Sequence, residues 1–391
     1  ERFMGELAQG STTAPYTMVD AINVTRPFDR PVGCYAGAEL RLSAGTSMFW
    51  QDERLYFLMS DRGASGVYLS DAHGYVMPVV ADLNRSISSL HGGHDKLLYT
   101  ASTPDQPEEL YIRCGETEKA LVRLNDALMA EVELGRWEKI TYPSDDGQPV
   151  DGWILYPVGY EAGKQYPLAL IIHGGPHGAY GPSFMFNAHL FASNGYAVLY
   201  TNPRGSQTYG QHFACCIDKN WGDRDYADIM AGVDAVLAEG LADPARLFVY
   251  GWSYGGYMTS WIVTQTKRFK AACAGAPVVD MNSDYGTADI TWSNEHEYGG
   301  RPWVEAEHLL KHSPLSYAGQ VETPLLLLHG EGDLRCPIIQ SEEFYMALKR
   351  QGKTVYMVRY PGEYHGPRRH LHRLDRYQRI LAWFDHYNNQ V

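Results

Sequence analysis

Apolar residues form short, dense runs in the second half of the chain, and glycine-rich or charged segments separate these runs. Four runs have the length of buried strands, and they cover residues 168–172, 247–250, 324–328 and 354–360. The longer stretches 256–266 and 223–237 are typical of helices, and Asp223, Asp225 and Asp228 are expected to cap the second one. Strands that alternate with helices predict a mostly parallel sheet of the α/β class.

The first third of the chain has a different pattern, in which short alternating strands recur. Residues 53–60 match residues 95–102, and Val67-Tyr68-Leu69 matches Leu110-Tyr111-Ile112, at offsets of 42 and 43 residues. A strand repeat of roughly 40–50 residues is typical of β-propeller blades, although unrelated hairpins could give the same pattern. We therefore predict two blades, with part of a third within residues 1–44.

A propeller closes with roughly four to eight blades, so the predicted one is partial and apparently truncated. The chain also begins with Glu1 instead of methionine, which favours a processed chain, an engineered fragment or a shortened natural relative. Open strand edges pair with another chain unless they are covered. We therefore expect either blades lost from a parent protein or self-association, with a homo-oligomer in both cases and wider access for large substrates.

The most informative segment is Gly251-Trp252-Ser253-Tyr254-Gly255, which joins a predicted strand to a predicted helix. This is the form of a nucleophile elbow, a strained turn that lifts a serine hydroxyl above an α/β-hydrolase sheet. The flanking glycines are needed because side chains there would collide with neighbouring backbone. The motif alone also arises by chance in a chain with 39 glycines, as an ordinary turn, so the flanking strand and helix carry the prediction.

An α/β-hydrolase requires an acid and then a histidine after the serine, each on a loop that follows its own strand. Asp333 follows the run 324–328, and His365 follows the run 354–360. We predict Ser253 as nucleophile, His365 as general base and then acid, and Asp333 as the carboxylate that orients the imidazole. Four nearby residues remain rivals for the acid or the base, namely Glu331, Glu363, His370 and His372.

Acyl transfer also requires N–H donors aimed at the developing oxyanion. The run 168–172 leads into His173-Gly174-Gly175-Pro176-His177-Gly178, a loop suited to presenting backbone N–H groups. We predict the N–H groups of Tyr254 and Gly175 as the two donors, and the alternative is a tight turn without a catalytic part. His173 and His177 could contact substrate, but structural hydrogen bonding explains them better.

Taken together, these motifs resemble the prolyl oligopeptidase family of serine peptidases, and within it the acylaminoacyl-peptidase branch. The resemblance spans roughly residues 105–391 and also includes Asn202-Pro-Arg-Gly-Ser206, Tyr285-Gly-Thr-Ala-Asp289, His312-Ser-Pro314, the segment from His329 to Pro337, and Tyr360-Pro-Gly-Glu-Tyr-His365. It implies a C-terminal α/β-hydrolase domain preceded by a propeller that caps the active site and admits short peptides. We place the domains at residues 1–130 and 131–391, with no marked linker between them.

The resemblance also implies substrate-binding residues. Arg335 would bind a substrate carbonyl near the scissile bond, with a structural ion pair as the alternative. Val278, Met281 and Tyr285 fall where the family builds its S1 pocket, and an apolar set there would suit an apolar P1 side chain, although core packing explains such residues as well.

Composition and charge narrow the function classes further. The formal charge of −13 argues against nucleic acid or an anionic membrane as partner, and no apolar run approaches the roughly 18 residues needed to cross a bilayer. Six scattered cysteines favour a reducing cytoplasm. No cofactor is expected, and a metal site is only weakly indicated because no zinc-type spacing joins His365, His370, His372 and Asp375.

Three functions of different classes remain. The leading one is a serine peptidase that forms an acyl-enzyme and releases an N-terminal residue, N-acylated in the favoured version, from short peptides. A dipeptidyl-peptidase would require an acidic clamp for the free α-amine, and the nearby pair Glu108-Glu109 is expected to be solvated surface instead. A carboxylesterase uses the same triad, and a non-catalytic propeller scaffold would leave the triad unexplained.

Overall fold

Two eight-stranded sheets follow one another along the chain in the computed structural model, which describes residues 23–35, 37, 47–71, 73–93 and 96–389. The first sheet lies within residues 48–122 and the second begins at residue 137. This arrangement confirms the predicted fold class, a partial β-propeller followed by an α/β-hydrolase domain. The boundary near residue 130 falls between the sheets and stays a prediction.

The first sheet consists of two antiparallel meanders of four strands each, which confirms the two predicted blades. Its strands are β1 (Met48–Gln51), β2 (Arg54–Asp61), β3 (Ala64–Asp71), β4 (Val76–Val80), β5 (Ser86–Gly93), β6 (Lys96–Thr103), β7 (Gln106–Cys114) and β8 (Thr117–Val122). One parallel bridge, from Ser65 to Ser86, links the meanders. The part of a third blade predicted within residues 1–44 falls largely outside the described residues.

Apolar side chains from both meanders share one core, which holds the blades together. Leu58 and Val67 of the first meander pack with Leu90 and Tyr99 of the second, and all four are at most 2% exposed. Strands β1, β4 and β8 each pair on one side only within the described chain. These edges are the surfaces through which self-association is predicted, and that association stays a prediction.

The expectation that Glu108 and Glu109 form solvated surface is wrong. Both lie in β7 and are 4% and 2% exposed. The Glu109 carboxylate accepts hydrogen bonds from the backbone N–H groups of Leu124 and Asn125, each at 2.9 Å, and Glu108 accepts one from the Ser88 hydroxyl. Burial is tolerated because these partners satisfy the carboxylates.

The second sheet has the order β16-β15-β14-β13-β11-β12-β10-β9, and β11 to β16 run parallel. Its strands are β9 (Trp137–Pro143), β10 (Pro149–Leu155), β11 (Tyr166–Ile172), β12 (Ala197–Asn202), β13 (Ala242–Trp252), β14 (Phe269–Gly275), β15 (Leu325–Gly330) and β16 (Val355–Tyr360). The central strands are buried on both faces, which is why they read as continuous apolar runs in the sequence.

Helices cover both faces of this sheet. The helices of the described chain are α1 (Asp126–Met129), α2 (Phe186–Ser193), α3 (Gln211–Cys215), α4 (Arg224–Ala238), α5 (Tyr254–Gln265), α6 (Met281–Thr287), α7 (Thr291–Glu297), α8 (Pro302–Lys311), α9 (Ile339–Arg350) and α10 (His370–Asn388), with 3₁₀ turns at Arg26–Phe28 and Pro314–Gln320. Alternate residues of β11 enter opposite cores, Leu170 on the side of α4 and α5 and Ile171 on the side of α2 and α10. Within the described part of the chain, no helix is both long and apolar enough to cross a membrane.

The blades dock onto the hydrolase region through tight backbone contacts at the β2–β3 turn. The Gly63 N–H donates to the Thr208 hydroxyl at 2.9 Å, and the Arg62 guanidinium lies 3.4 Å from the buried Asp151 carboxylate. A Cβ atom on Gly181 would lie 1.9 Å from the Gly63 carbonyl oxygen, so the two backbones touch without room for a side chain.

Candidate active site

Ser253 lies in the turn between β13 and α5, where the chain adopts a strained conformation. Its φ is +63° and its ψ is −123°, a combination that L-residues rarely occupy and that neighbouring structure must enforce. A Cβ on Gly251 would lie 2.2 Å from the Gly255 carbonyl oxygen, and one on Gly255 would lie 2.3 Å from the Ile172 carbonyl oxygen. The turn therefore has the geometry that the sequence predicts for a nucleophile elbow.

The structure brings the three predicted triad residues into one hydrogen-bonded line. His365 Nε2 lies 2.8 Å from Ser253 Oγ, and His365 Nδ1 lies 2.8 Å from Asp333 Oδ2. An ionised carboxylate can only accept, so Nδ1 carries a proton and donates a hydrogen bond to Asp333. In the neutral imidazole, Nε2 is then free to accept the Ser253 hydroxyl proton, which is the tautomer that general-base chemistry requires.

Asp333 is held from several directions in the loop after β15. Its side chain is fully buried, and its Oδ1 accepts the N–H groups of Arg335 at 2.9 Å and Cys336 at 3.1 Å. Burial alone would raise the pKa of Asp333, but interactions with His329 and His365 outweigh it and hold that pKa well below its usual value. The carboxylate is thus fixed in position and ionised.

Three of the four rival residues have hydrogen-bond partners of their own, and the fourth, His370, is exposed. Glu331 accepts a hydrogen bond from Arg359 at 2.9 Å at the surface. The buried Glu363 accepts two backbone N–H groups at the start of α10 and lies 2.7 Å from His372 Nδ1, so it caps that helix. His370 is the exposed first residue of α10. Ser253 is hydrogen-bonded to His365, which is in turn hydrogen-bonded to Asp333.

The residues of the weakly indicated metal site have hydrogen-bond partners of their own. His365 is bonded to Ser253 and Asp333, and the Asp375 carboxylate accepts from the Tyr360 hydroxyl at 3.1 Å and from Arg379. Among the described residues, the side chains close enough to share an ion are His177, Asp218 and Glu297. Two of these, His177 and Glu297, already face one another at 2.9 Å, and this hydrogen bond raises the pKa of His177.

The predicted oxyanion donors lie beside Ser253. Gly174, Gly175 and Tyr254 line the same cavity as the serine, and a Cβ on Gly174 would lie 3.4 Å from Ser253 Cβ. Tyr254 is the first residue of α5, where backbone N–H groups have no intrahelical partner and favour negative charge. The catalytic roles of Tyr254 and Gly175 stay predictions, but their positions suit them.

The two histidines of the oxyanion loop have structural contacts, as the sequence favours. His173 is buried, with Nε2 2.9 Å from the Ser206 hydroxyl, and burial lowers its pKa to about 4. His177 Nδ1 lies 2.8 Å from the Gly205 carbonyl oxygen, and its other nitrogen faces Glu297. Both side chains therefore hold the loop to neighbouring segments.

A cavity of about 420 Å³ opens at Ser253, a volume within the usual range for small-ligand sites. Its remaining wall is mixed in character and comprises Trp221, Trp252, Val278, Asp284, Ile290, Asn294, Tyr298, Arg335, Cys336 and His365. Of the predicted substrate-binding residues, Val278 and Arg335 line it. Met281 is 1% exposed in the core, and Tyr285 packs edge-on against Trp303, so these two lie behind the wall in α6.

Arg335 has the ion pair that was its alternative interpretation. Its Nε lies 2.7 Å from Asp289 Oδ1, and the two side chains are 46% and 44% exposed. Exposed pairs contribute little stability, so the contact positions the guanidinium more than it holds the fold together. Arg335 can therefore face the cavity and keep its partner.

Asp225 lies at the start of α4, as predicted, but its carboxylate also contacts α5. Its buried carboxylate accepts hydrogen bonds from the Gly222 N–H at 2.9 Å and from the hydroxyl of Tyr254, the residue after the predicted nucleophile. Burial raises the pKa of Asp225 to about 6. Asp225 therefore anchors the start of α5 beneath Ser253, a role that no sequence motif indicated.

Comparisons with known proteins agree with this site. The profile of the prolyl oligopeptidase family matches residues 182–390. The uncharacterized peptidase YuxL of Bacillus subtilis is 42% identical over 342 residues, which are 84% of this chain and 51% of YuxL. Dipeptidyl-peptidase 5 of Schizosaccharomyces pombe is 30% identical over 274 residues, 68% of this chain and 40% of that protein.

A solved structure extends the likeness across both parts of the fold. Acylaminoacyl peptidase from Pyrococcus horikoshii superposes with a TM-score of 0.83 and 31% identity. The match covers 92% of this chain and 56% of the archaeal one. The chain therefore spans about half the length of these relatives.

Proposed function

Because the chain belongs to the prolyl oligopeptidase family of serine peptidases, we propose that it hydrolyses short peptides through an acyl-enzyme and releases N-acylated N-terminal residues. The observation that carries the proposal is the hydrogen-bonded line from Ser253 through His365 to Asp333, which opens onto a cavity of peptide-binding size. The acylaminoacyl peptidase of similar fold supports the choice of substrate class.

In the proposed first half-reaction, Ser253 Oγ bonds to the carbonyl carbon of the scissile amide while its proton passes to His365 Nε2. The tetrahedral oxyanion would be met by the N–H groups of Gly175 and Tyr254. The imidazolium, stabilised by Asp333, then gives its proton to the amide nitrogen as the C–N bond breaks. Water repeats the sequence on the ester, so the acid leaves and the proton returns to Ser253.

A dipeptidyl-peptidase is the weaker proposal because the acids suggested for its amine clamp are engaged elsewhere. Glu109 binds the backbone around Asn125, and Glu108 contacts Ser88 inside the blade. Arg335, exposed at the cavity, would also repel a free α-amine near the scissile bond. An acylated N-terminus carries no such charge.

Three chromogenic substrates separate the candidate functions. We expect kcat/KM to be highest for an N-acetyl-amino-acid anilide and clearly lower for a dipeptide anilide with a free amine. A p-nitrophenyl ester reports Ser253 reactivity independently of amide cleavage. Preference for the free-amine dipeptide would reverse the assignment, and ester cleavage without any anilide cleavage would indicate a carboxylesterase.

We expect Arg335→Ala to cost about 1–3 kcal/mol in kcat/KM on the acylated anilide, the size of a lost charge-assisted hydrogen bond. Hydrolysis of a small ester that lacks the carbonyl group proposed to bind Arg335 should barely change. The matched control is Asp289→Asn, which removes the ion pair but keeps the guanidinium. If both variants lose the same activity on both substrates, Arg335 has a structural part only.

A further inference from the structure

The wall of the cavity at Ser253 contains a buried carboxylate that the proposed reaction does not use. Asp284, in α6, is 1% exposed. Its Oδ2 accepts hydrogen bonds from Asn294 Nδ2 and from the Tyr298 hydroxyl, each at 2.8 Å. Its Oδ1 is equally buried and has no hydrogen-bond partner within the described part of the chain. A buried polar atom without a partner costs stability, and Asp284 lines the cavity, so a donor group that enters there and reaches Oδ1 would be bound favourably.

The charges around Asp284 make a cationic ligand the favoured one. Burial raises the pKa of Asp284 to about 7, the Tyr298 hydrogen bond lowers it in part, and the carboxylates of Asp333 and Asp280 add to the rise. A positive group in the cavity would relieve that repulsion and stabilise the ionised form. The same carboxylates would disfavour an anionic ligand at Asp284.

The remaining wall suits a long side chain with a charged end. Trp221 packs edge-on against both Tyr254 and Tyr298, with ring centroids 5.0 and 5.2 Å apart, and Val278 adds an apolar surface. Aromatic rings attract cations, and the methylene stems of lysine and arginine pack well on apolar surfaces. The wall therefore offers contacts to both parts of such a side chain.

We propose that Asp284 selects substrates with lysine or arginine at P1, the residue whose carbonyl Ser253 attacks, by accepting a hydrogen bond from the side-chain cation on Oδ1. The inference rests on the proposed function and names its substrate class as peptides that begin with an N-acylated basic residue. It replaces the expectation of an apolar P1, which rested on Val278, Met281 and Tyr285. Those three residues gave no sign that the Asp284 carboxylate lies in the same cavity wall as Val278.

The α-amine of an unblocked peptide is the competing cation. Asp284 is 1% exposed, whereas the Arg335 side chain at the same cavity is 46% exposed. A P1 side chain reaches deeper than the main chain from which it extends. The deeper carboxylate thus suits the side chain, and the main chain passes nearer to the cationic Arg335.

The test compares p-nitroanilides of N-acetyl-lysine, N-acetyl-arginine and N-acetyl-methionine, the last being uncharged and unbranched. Wild type should prefer the basic substrates, and Asp284→Asn should lower the Lys/Met and Arg/Met ratios of kcat/KM by about tenfold to a hundredfold. Asn keeps an acceptor for Tyr298 and Asn294. Each ratio comes from one enzyme sample, so partial unfolding cancels.

The matched control is Asp280→Asn, which removes a neighbouring carboxylate at the N-cap of α6, where it accepts the Asn282 N–H. Its ratios should stay close to wild type. A ratio unchanged in Asp284→Asn would overturn the proposal. So would a selective loss of activity on a glycyl-methionine anilide with a free amine, since Asp284 would then bind the α-amine.

The pH dependence adds a second readout. The wild-type Lys/Met ratio should rise between about pH 6 and 8 as Asp284 ionises, and the ratio in Asp284→Asn should stay flat. Any ionisation that affects both substrates alike cancels in the ratio. Three other groups facing Asp284 have pKa values shifted away from this range. Burial raises the pKa of Tyr298 and Cys336 well above their usual values, and the pKa of Asp333 lies well below its usual value. The effect of Asp280 is measured with the Asp280→Asn variant.

A parallel series of p-nitrophenyl esters separates this inference from the proposed function. If wild type cleaves the esters but none of the anilides, the peptidase proposal fails. The Lys/Met ratio of the esters, compared between wild type and Asp284→Asn, still decides whether Asp284 binds the P1 cation. A flat ratio in that series would also overturn the inference.

Discussion

Alanine at position 253 should leave a folded protein whose kcat on any cleaved substrate falls about 10⁵- to 10⁶-fold. The reason is geometric, because Ser253 Oγ is the atom that His365 Nε2 contacts at 2.8 Å. His365→Ala should lose nearly as much, and Asp333→Asn about 10⁴-fold through the wrong imidazole tautomer. Combining the changes should add little, because the three residues act as a unit.

His370→Ala is the matched control for the base, since it removes a nearby imidazole that is exposed at the start of α10. It should keep near wild-type turnover. A fluorophosphonate probe should label wild type at Ser253, as mass spectrometry of the labelled peptide would establish. Labelling at another serine, or retained activity in His365→Ala, would overturn the triad.

Gly255→Ala should destabilise the protein by about 3 kcal/mol or more and abolish activity, although the change adds one methyl group. That methyl would lie 2.3 Å from the Ile172 carbonyl oxygen and 3.0 Å from the His173 carbonyl oxygen. Both are backbone atoms of β11 and the oxyanion loop, which cannot rotate aside. The turn at Ser253 would therefore have to move away from the loop that faces it.

Gly286→Ala provides the comparison, because a Cβ at that position in α6 would meet no described atom within 4 Å apart from its chain neighbours and its own helix backbone. Alanine there should be neutral or stabilise the helix by up to about 1 kcal/mol. Urea denaturation of both variants, with activity measured in parallel, checks the prediction. Equal stability of the two variants would mean that the elbow has more room than the contacts indicate.

The parts predicted best from sequence are those in which local chemistry determines geometry. The elbow at Ser253 needs glycines at fixed offsets, and Asp333 and His365 each follow a strand as the hydrolase order requires. The strand repeat at an offset of about 42 residues predicts the two propeller blades. In each case a short segment carries its own signal.

The residues that sequence reasoning misjudged depend on partners far along the chain. The sequence predicts Glu109 at the surface because it lies on a blade strand, but Glu109 is buried and hydrogen bonds from Leu124 and Asn125 satisfy its carboxylate. Asp225 was interpreted as part of a helix start, yet its contact with Tyr254 joins residues 29 positions apart. Asp284 belongs to no motif that the sequence analysis identifies, and the packing of α6 places it in the cavity wall.

The separation of the triad along the chain has a consequence for the order in which the site is made. Ser253 and His365 are 112 residues apart, so a ribosome adding roughly 5–20 residues per second completes the serine about 6–22 s before the histidine. During that interval the elbow can form on the β13–α5 unit while its base is still untranslated. The proposed base is therefore missing from the nascent chain until β16 and the loop that carries His365 have been synthesised, so we expect Ser253 to stay unreactive up to that point.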